Sequence, residues 1–216
     1  MSGVVEVIRV DPRRPDLPSL RRAVEALLRD ELVIYPTDTV YGLGANPLSV
    51  RAVERVYAAK RRSRDKPLPI LVSDREVVKR VAVVTPAAEA LMRKFWPGAL
   101  TIVLPRRPSL PDVVTAGRPS VALRMPDSEI ARYLAREIGG LIVGTSANLS
   151  GAPPPVTAEE ALEYLRGHVS VVVDAGPARH GVPSTIVDLS GEEPRVLREG
   201  ALPARLVLRE LRGRAP

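Results

Sequence analysis

Cysteine is absent from the 216 residues, and histidine occurs only at positions 168 and 180. The first absence excludes disulfides, thiolate metal sites and cysteine nucleophiles, and the scarcity of histidine excludes a histidine-rich metal centre. Aromatic residues make up 3%, so a core must be built from Val, Leu, Ile and Ala. The same scarcity leaves no interleaved aromatic platform for stacking single-stranded bases. No apolar run approaches the roughly 20 residues that cross a bilayer, and the opening MSGVVEVIRVDP does not have the form of a signal peptide. These features read as a soluble cytoplasmic protein with no membrane partner. The common phosphate-binding signatures are missing too: there is no G-x-x-x-x-G-K-[ST], and Gly42-x-Gly44 lacks the third glycine of a dinucleotide fingerprint. A nucleotide would have to be held by another route.

What is present is ordinary for a globular chain, with 45% hydrophobic and 26% charged residues, and the length favours one domain. The formal charge of +7 is unevenly spread, because residues 51–80 hold ten Lys/Arg against four Asp/Glu. Such a cluster suits the phosphates of a nucleotide or of RNA, and reads also as a solvated helix face. Lysine occurs only at positions 60, 66, 79 and 94 in an arginine-rich chain. Lys60 and Lys66 both fall in the cluster, a hint that a compact point charge is wanted there.

Apolar stretches at 32–36, 68–72, 100–104, 120–125, 141–145, 169–174, 185–189 and 195–198 predict strands. Helical periods lie between many of them. Ser19, Ser49, Asp74, Thr85-Pro86, Asp127 and the capping box Thr157-x-x-Glu160 mark their starts. Strands interspersed with helices at uneven spacing predict a single-domain α/β protein with a large, twisted, mixed sheet.

Four segments can carry chemistry. YPTDTVYGLG (35–44) sets Thr37, Asp38 and Thr39 after an apolar run, either as a strand ending in a polar turn or as hydroxyls delivered to a ligand. In YAAKRRSRDKPL (57–68), Lys60 and Arg62 diverge on a continuing helix and can share a ligand only if it ends there. With Arg64 and Lys66 they could then converge on a polyphosphate, or form a basic loop with no ligand. LIVGTSANLSG (141–151) places Thr145, Ser146 and Asn148 at a strand's carboxyl end, where α/β ligands sit, but reads also as a Ser/Asn-rich turn. VPSTIVDLS (182–190) and VLREG (196–200) predict adjacent strands with Ser184 and Arg198 near their ends. His180 reads as a surface loop residue.

In order along the chain, PTDTVYGLGAN, K-x-R followed by KPL, WPGALTIVL, TAGRPSVALRMP, TSANLSG, PSTIVD and LREG resemble the YrdC family, the threonylcarbamoyl-AMP synthases. The resemblance spans residues 15–200 as one domain and leaves 201–216 as a short C-terminal tail. It implies a sheet with flanking helices around a concave, basic cavity. It also implies a reaction of L-threonine, bicarbonate or CO2 and ATP to L-threonylcarbamoyl-AMP and pyrophosphate, the first step of threonylcarbamoyl modification of tRNA adenosine 37. By position, Lys60, Arg62, Ser146 and Asn148 match the family's catalytic and nucleotide-binding signature, joined at the ATP by Thr115 and Arg198. Thr37, Thr39, Arg124, Thr145 and Ser184 match positions near threonine. Mg2+ is implied with ATP and no protein-held metal. The implied partner is a downstream tRNA threonylcarbamoyl transferase, with tRNA or double-stranded RNA as a further candidate. Lys66 stands where many members have asparagine, and LPILVSD lacks a histidine that many carry after the P-L pair. Longer members carry a C-terminal domain, whose role would here fall to loops, the tail or a partner. On the chemistry, the hydroxyls of PTDT would read a small hydroxy amino acid while the Gly-x-Gly turn lets backbone approach the ligand. Two other readings are an RNA-binding module without catalysis and a paralogue with another carbamoyl or nucleotide substrate.

Overall fold

A computed structural model describes residues 4–212, so the first three residues and the end of the expected tail, 213–216, lie outside the described residues. The strands are β1 (Glu6–Arg9), β2 (Val33–Tyr35), β3 (Gly42–Gly44), β4 (Ile70–Val72), β5 (Leu100–Pro105), β6 (Ser120–Arg124), β7 (Leu141–Val143), β8 (Thr145–Ser146), β9 (Val171–Asp174), β10 (Thr185–Asp188) and β11 (Arg195–Arg198). The helices are α1 (Arg21–Leu28), α2 (Val50–Lys60), α3 (Val78–Val81), α4 (Pro86–Phe95), α5 (Asp112–Thr115), α6 (Glu129–Glu137), α7 (Ala158–Leu165) and α8 (Ala204–Arg212).

The mixed α/β class is present, with the strands divided between two sheets where their spacing predicts one. The orders are β1-β9-β2-β3-β8 and β11-β10-β5-β6-β4-β7. The division falls inside the 141–145 apolar run. β7 pairs with β4 in the larger sheet, and after Gly144 the chain enters β8, which pairs with β3 in the smaller one. A Cβ at Gly144 would lie 2.5 Å from Leu71 Cγ, so the crossing needs glycine.

The sequence predicts a turn at Gly42–Gly44. Instead this segment is β3, paired antiparallel with β2, and Tyr35 of β2 packs over its glycines. A Cβ at Gly44 would meet the Tyr35 ring at 2.8 Å and Ile142 Cδ1 at 2.9 Å, and one at Gly42 would meet the ring at 3.0 Å. These glycines make room for a core tyrosine, and Gly42 also lines a cavity, where its backbone is open to a ligand.

The caps follow local chemistry. Ser49, Thr85 and Thr157 accept from Ala52, Ala88 and Glu160 backbone N–H groups. Ser128 rather than Asp127 caps α6, accepting from Ala131 N–H, while Asp127 pairs with Arg179. Ser19 sits in a short 3-10 turn, Leu17–Leu20, its hydroxyl donating to Asp16 O at 2.6 Å. Asp74 accepts from Val77 N at 3.1 Å, but the helix after it is only α3. One apolar cluster joins α2, α4 and α7 to both sheets through residues such as Val53, Leu91, Leu165, Leu43 and Ile102. A second seals α1 and α6 against β2 and β9 through Leu27, Leu134, Val33 and Val173.

Candidate active site

Where the chain crosses between sheets, a cavity of about 340 Å³ opens. Gly144, Thr145 and Ser146 form part of its wall, and the PTDT loop, β6 and the β10–β11 hairpin supply others. Of the residues singled out from sequence, Thr37, Thr39, Arg62, Arg124, Thr145, Ser146, Ser184 and Arg198 line it.

Thr37 closes its own turn. Its Oγ1 donates to Val40 O at 2.6 Å, accepts from the N–H groups of Thr39 and Val40, and lies 3.0 Å from Thr39 Oγ1. That turn aims Thr39 at Arg124, whose Nη1 donates to Thr39 Oγ1 at 2.7 Å. Arg124 Nε donates to Gly98 O at 2.9 Å and Nη2 to Asp38 Oδ1, so three acceptors hold one guanidinium in place. Burial lowers the Arg124 pKa, and the Asp38 charge works against that shift.

Lys60, Asn148 and Thr115 stand outside the cavity lining. Lys60 is the last residue of α2 and is 2% exposed. Its Nζ donates to Ser146 O, to Asn148 O at 2.6 Å and to Asn148 Oδ1 at 3.3 Å. Asn148 Oδ1 also accepts from Ser146 Oγ at 2.6 Å, and Asn148 Nδ2 donates to Ala152 O at 2.6 Å. Lys60 therefore braces the segment that presents Ser146. With no carboxylate in that set, burial first and the Arg62 charge second push its pKa down to about 7. The helix ends as the spacing required: Arg61 takes the left-handed conformation at φ 48, which brings Arg62 round to the cavity. Arg62 is fixed by Lys66 O at 3.1 Å and Pro67 O at 2.9 Å. Arg64 instead pairs with Glu54, and Lys66 is exposed and outside the lining, so these two do not converge with Arg62. Thr115 is 1% exposed, its Oγ1 3.4 Å from Asp112 O.

On the hairpin, Arg198 Nε and Nη2 donate to Ser184 O at 3.0 and 2.8 Å. Ser184 Oγ lies 2.8 Å from Thr101 Oγ1. Thr101, Arg118 and Asp188 also line the cavity, and sequence reasoning does not single them out. Arg118 lies inside the quoted TAGRPSVALRMP, where its charge is the available signal; Thr101 is one hydroxyl inside an apolar strand and gives none.

A family model described as telomere recombination, for Sua5, YciO and YrdC proteins, matches residues 25–200. The chain belongs to the Sua5/YciO/YrdC family. Among its relatives, one from Bacillus subtilis named threonylcarbamoyl-AMP synthase is 43% identical over 187 residues, covering 86% of this chain and 54% of the relative. One from Mycobacterium tuberculosis, named putative threonylcarbamoyl-AMP synthase, is 46% identical over 179 residues and covers 82% of both chains. The crystal structure of Pyrococcus abyssi Sua5 complexed with L-threonine superposes with a TM-score of 0.90 at 39% identity, over 96% of this chain and 61% of that one. The chain thus spans about half the length of its Bacillus relative and most of the Mycobacterium family member.

Proposed function

We propose that this chain synthesises L-threonylcarbamoyl-AMP from L-threonine, bicarbonate or CO2, and ATP. The observation that carries the reading is one cavity holding a buried, hydroxyl-flanked Arg124 and three further arginines, Arg62, Arg118 and Arg198. The first suits the carboxylate of a small hydroxy amino acid, and the others suit a polyphosphate. The relatives' names and the threonine-bound Sua5 structure support the same pairing.

The threonine amine attacks CO2 and loses a proton, giving a carbamate. A carbamate oxygen then attacks the α-phosphorus of ATP, a new P–O bond forms, and the bond to the β-phosphate bridging oxygen breaks to release pyrophosphate. A carboxylate-type nucleophile needs no strong base, so the work left to the protein is alignment and neutralisation of charge on phosphate oxygens. Arg62, Ser146 and Arg198 would contact the phosphates, with Lys60 and Asn148 holding Ser146. Thr39, Arg124, Thr145 and Ser184 would enclose threonine, with Thr37 setting the turn. Thr115 would support the nucleotide side from behind the wall. Among the described residues no group of three or more His, Cys, Asp or Glu is placed to hold a metal, and Asp188 is the carboxylate of the lining. This donor set suits Mg2+ carried in on ATP, where it would neutralise phosphate charge. The product is a reactive mixed anhydride, consumed by a transferase acting on tRNA.

Incubation with ATP, L-threonine and ¹³C-bicarbonate, followed by mass spectrometry, tests the reading. A threonine- and ATP-dependent product carrying one ¹³C between threonine and AMP is expected; ATP consumed with no such product would refute it.

A further inference from the structure

Asp38 is the acidic member of the PTDT segment, and the reaction above gives it no part. Its side chain is fully buried beside that of Arg124, at 0% and 6% exposed. Oδ1 accepts from Arg124 Nη2, while Oδ2 is buried without a hydrogen-bond partner. An ion pair kept only for stability gains nothing from such an unmet acceptor. Arg124 is also the cavity arginine that has a carboxylate partner. Arg62, Arg118 and Arg198 donate to main-chain carbonyls, of Lys66 and Pro67, of Asp65, and of Ser184, and take part in no ion pair among the described residues.

The cavity therefore has a buried arginine balanced by its own carboxylate, and three less buried arginines that outnumber Asp188, the one acid of the lining among the described residues. Resting on the substrate pair proposed above, we propose that Asp38 is a positioning residue that sorts the two anionic substrates: it holds and neutralises Arg124 so that this arginine accepts an amino acid, not polyphosphate. A guanidinium has five N–H groups, and Asp38, Thr39 and Gly98 take three. The remaining N–H on each terminal nitrogen suits a carboxylate. A zwitterionic amino acid meets no net repulsion there, whereas each phosphate meets the Asp38 charge in a low dielectric. With Asp38 made neutral, Arg124 becomes a fourth unbalanced cation and phosphate competes for it.

The test is calorimetric titration of L-threonine into wild-type protein, Asp38→Asn and Thr39→Val, each with and without saturating inorganic pyrophosphate. Wild type is expected to bind threonine equally well in both conditions. Pyrophosphate should weaken threonine binding to Asp38→Asn by about tenfold or more, since a neutral Asn keeps the shape and removes only the charge. Thr39→Val should bind threonine less tightly yet stay insensitive to pyrophosphate. Threonine binding to Asp38→Asn that ignores pyrophosphate would overturn the sorting role while leaving the substrate pair intact, whereas a wild type that binds no threonine would overturn both. If Asp38→Asn fails to fold, a NaCl series on wild type decides: pyrophosphate affinity should fall about tenfold while threonine affinity stays nearly flat, and a parallel fall would overturn the proposal.

Discussion

Lys60 is 2% exposed and surrounded by carbonyl acceptors, so its proton is held against a desolvation cost that no acid offsets. Its pKa, about 7 in the fold against 10.5 for a solvated lysine, means that the unfolded chain binds the extra proton across that window. Stability from this group therefore rises with pH between about 7 and 10.5, by up to about 1.4 kcal/mol per unit, and is lowest below 7. Urea unfolding of wild type against Lys60→Met across that range should show a rising difference in favour of wild type; a flat difference would contradict the burial argument. Nearby, Arg62→Ala is expected to lower adenylate formation by about 10²- to 10³-fold with an unchanged melting curve, measured as pyrophosphate release. Thr39→Val removes the acceptor of Arg124 Nη1, so the KM for threonine should rise about tenfold and that for ATP hardly move. Side-chain type hints at such chemistry from the sequence, since the hydroxyls of PTDT suit a small hydroxy amino acid, whereas Arg124 joins them from 85 residues along the chain and is indicated only by the family resemblance. Direction is harder to read. That Lys60 turns behind the wall depends on where the 146–148 carbonyls lie, and they come from 86 residues or more along the chain.

Among elements, the turn from β7 to β8 sets the site. Gly144 lets the chain leave one sheet for the other and so places Thr145 and Ser146 on the cavity wall. Gly144→Ala would press a methyl group into Leu71, with Cβ 2.5 Å from Leu71 Cγ. A loss of about 1–3 kcal/mol by chemical denaturation is expected, together with a lower kcat because Ser146 moves with the strand. An unchanged protein would mean the crossing tolerates a side chain. The helix starts Ser49, Thr85 and Thr157 are legible in advance because a cap is a contact within four residues. The short strands β3 and β8 are not, since Gly-Leu-Gly and Thr-Ser are strands only by virtue of their neighbours and of the Tyr35 ring lying on the glycines. β1 escapes a sequence reading for a related reason: it is mostly exposed and held at the sheet edge by β9.

At the scale of the whole molecule, the cavity opens where the chain passes between two sheets, and four arginines line it with Asp188, one of them, Arg124, paired with Asp38. The α/β class and the seven ordered motifs are enough to indicate the family, because the motifs record side-chain chemistry directly. The sheet division is not legible, because an apolar run such as 141–145 looks the same whether its strand stays in one sheet or crosses to another. In the proposed reaction this cavity joins an amino acid to a nucleotide through one carbon from bicarbonate. Pyrophosphate release from Mg-ATP by the purified protein tests it most directly, with L-threonine and bicarbonate each present or withheld and L-serine as control. Release that needs both threonine and bicarbonate, and is much slower with serine, is the expected result; release independent of either, or none at all with every substrate present, would contradict the account.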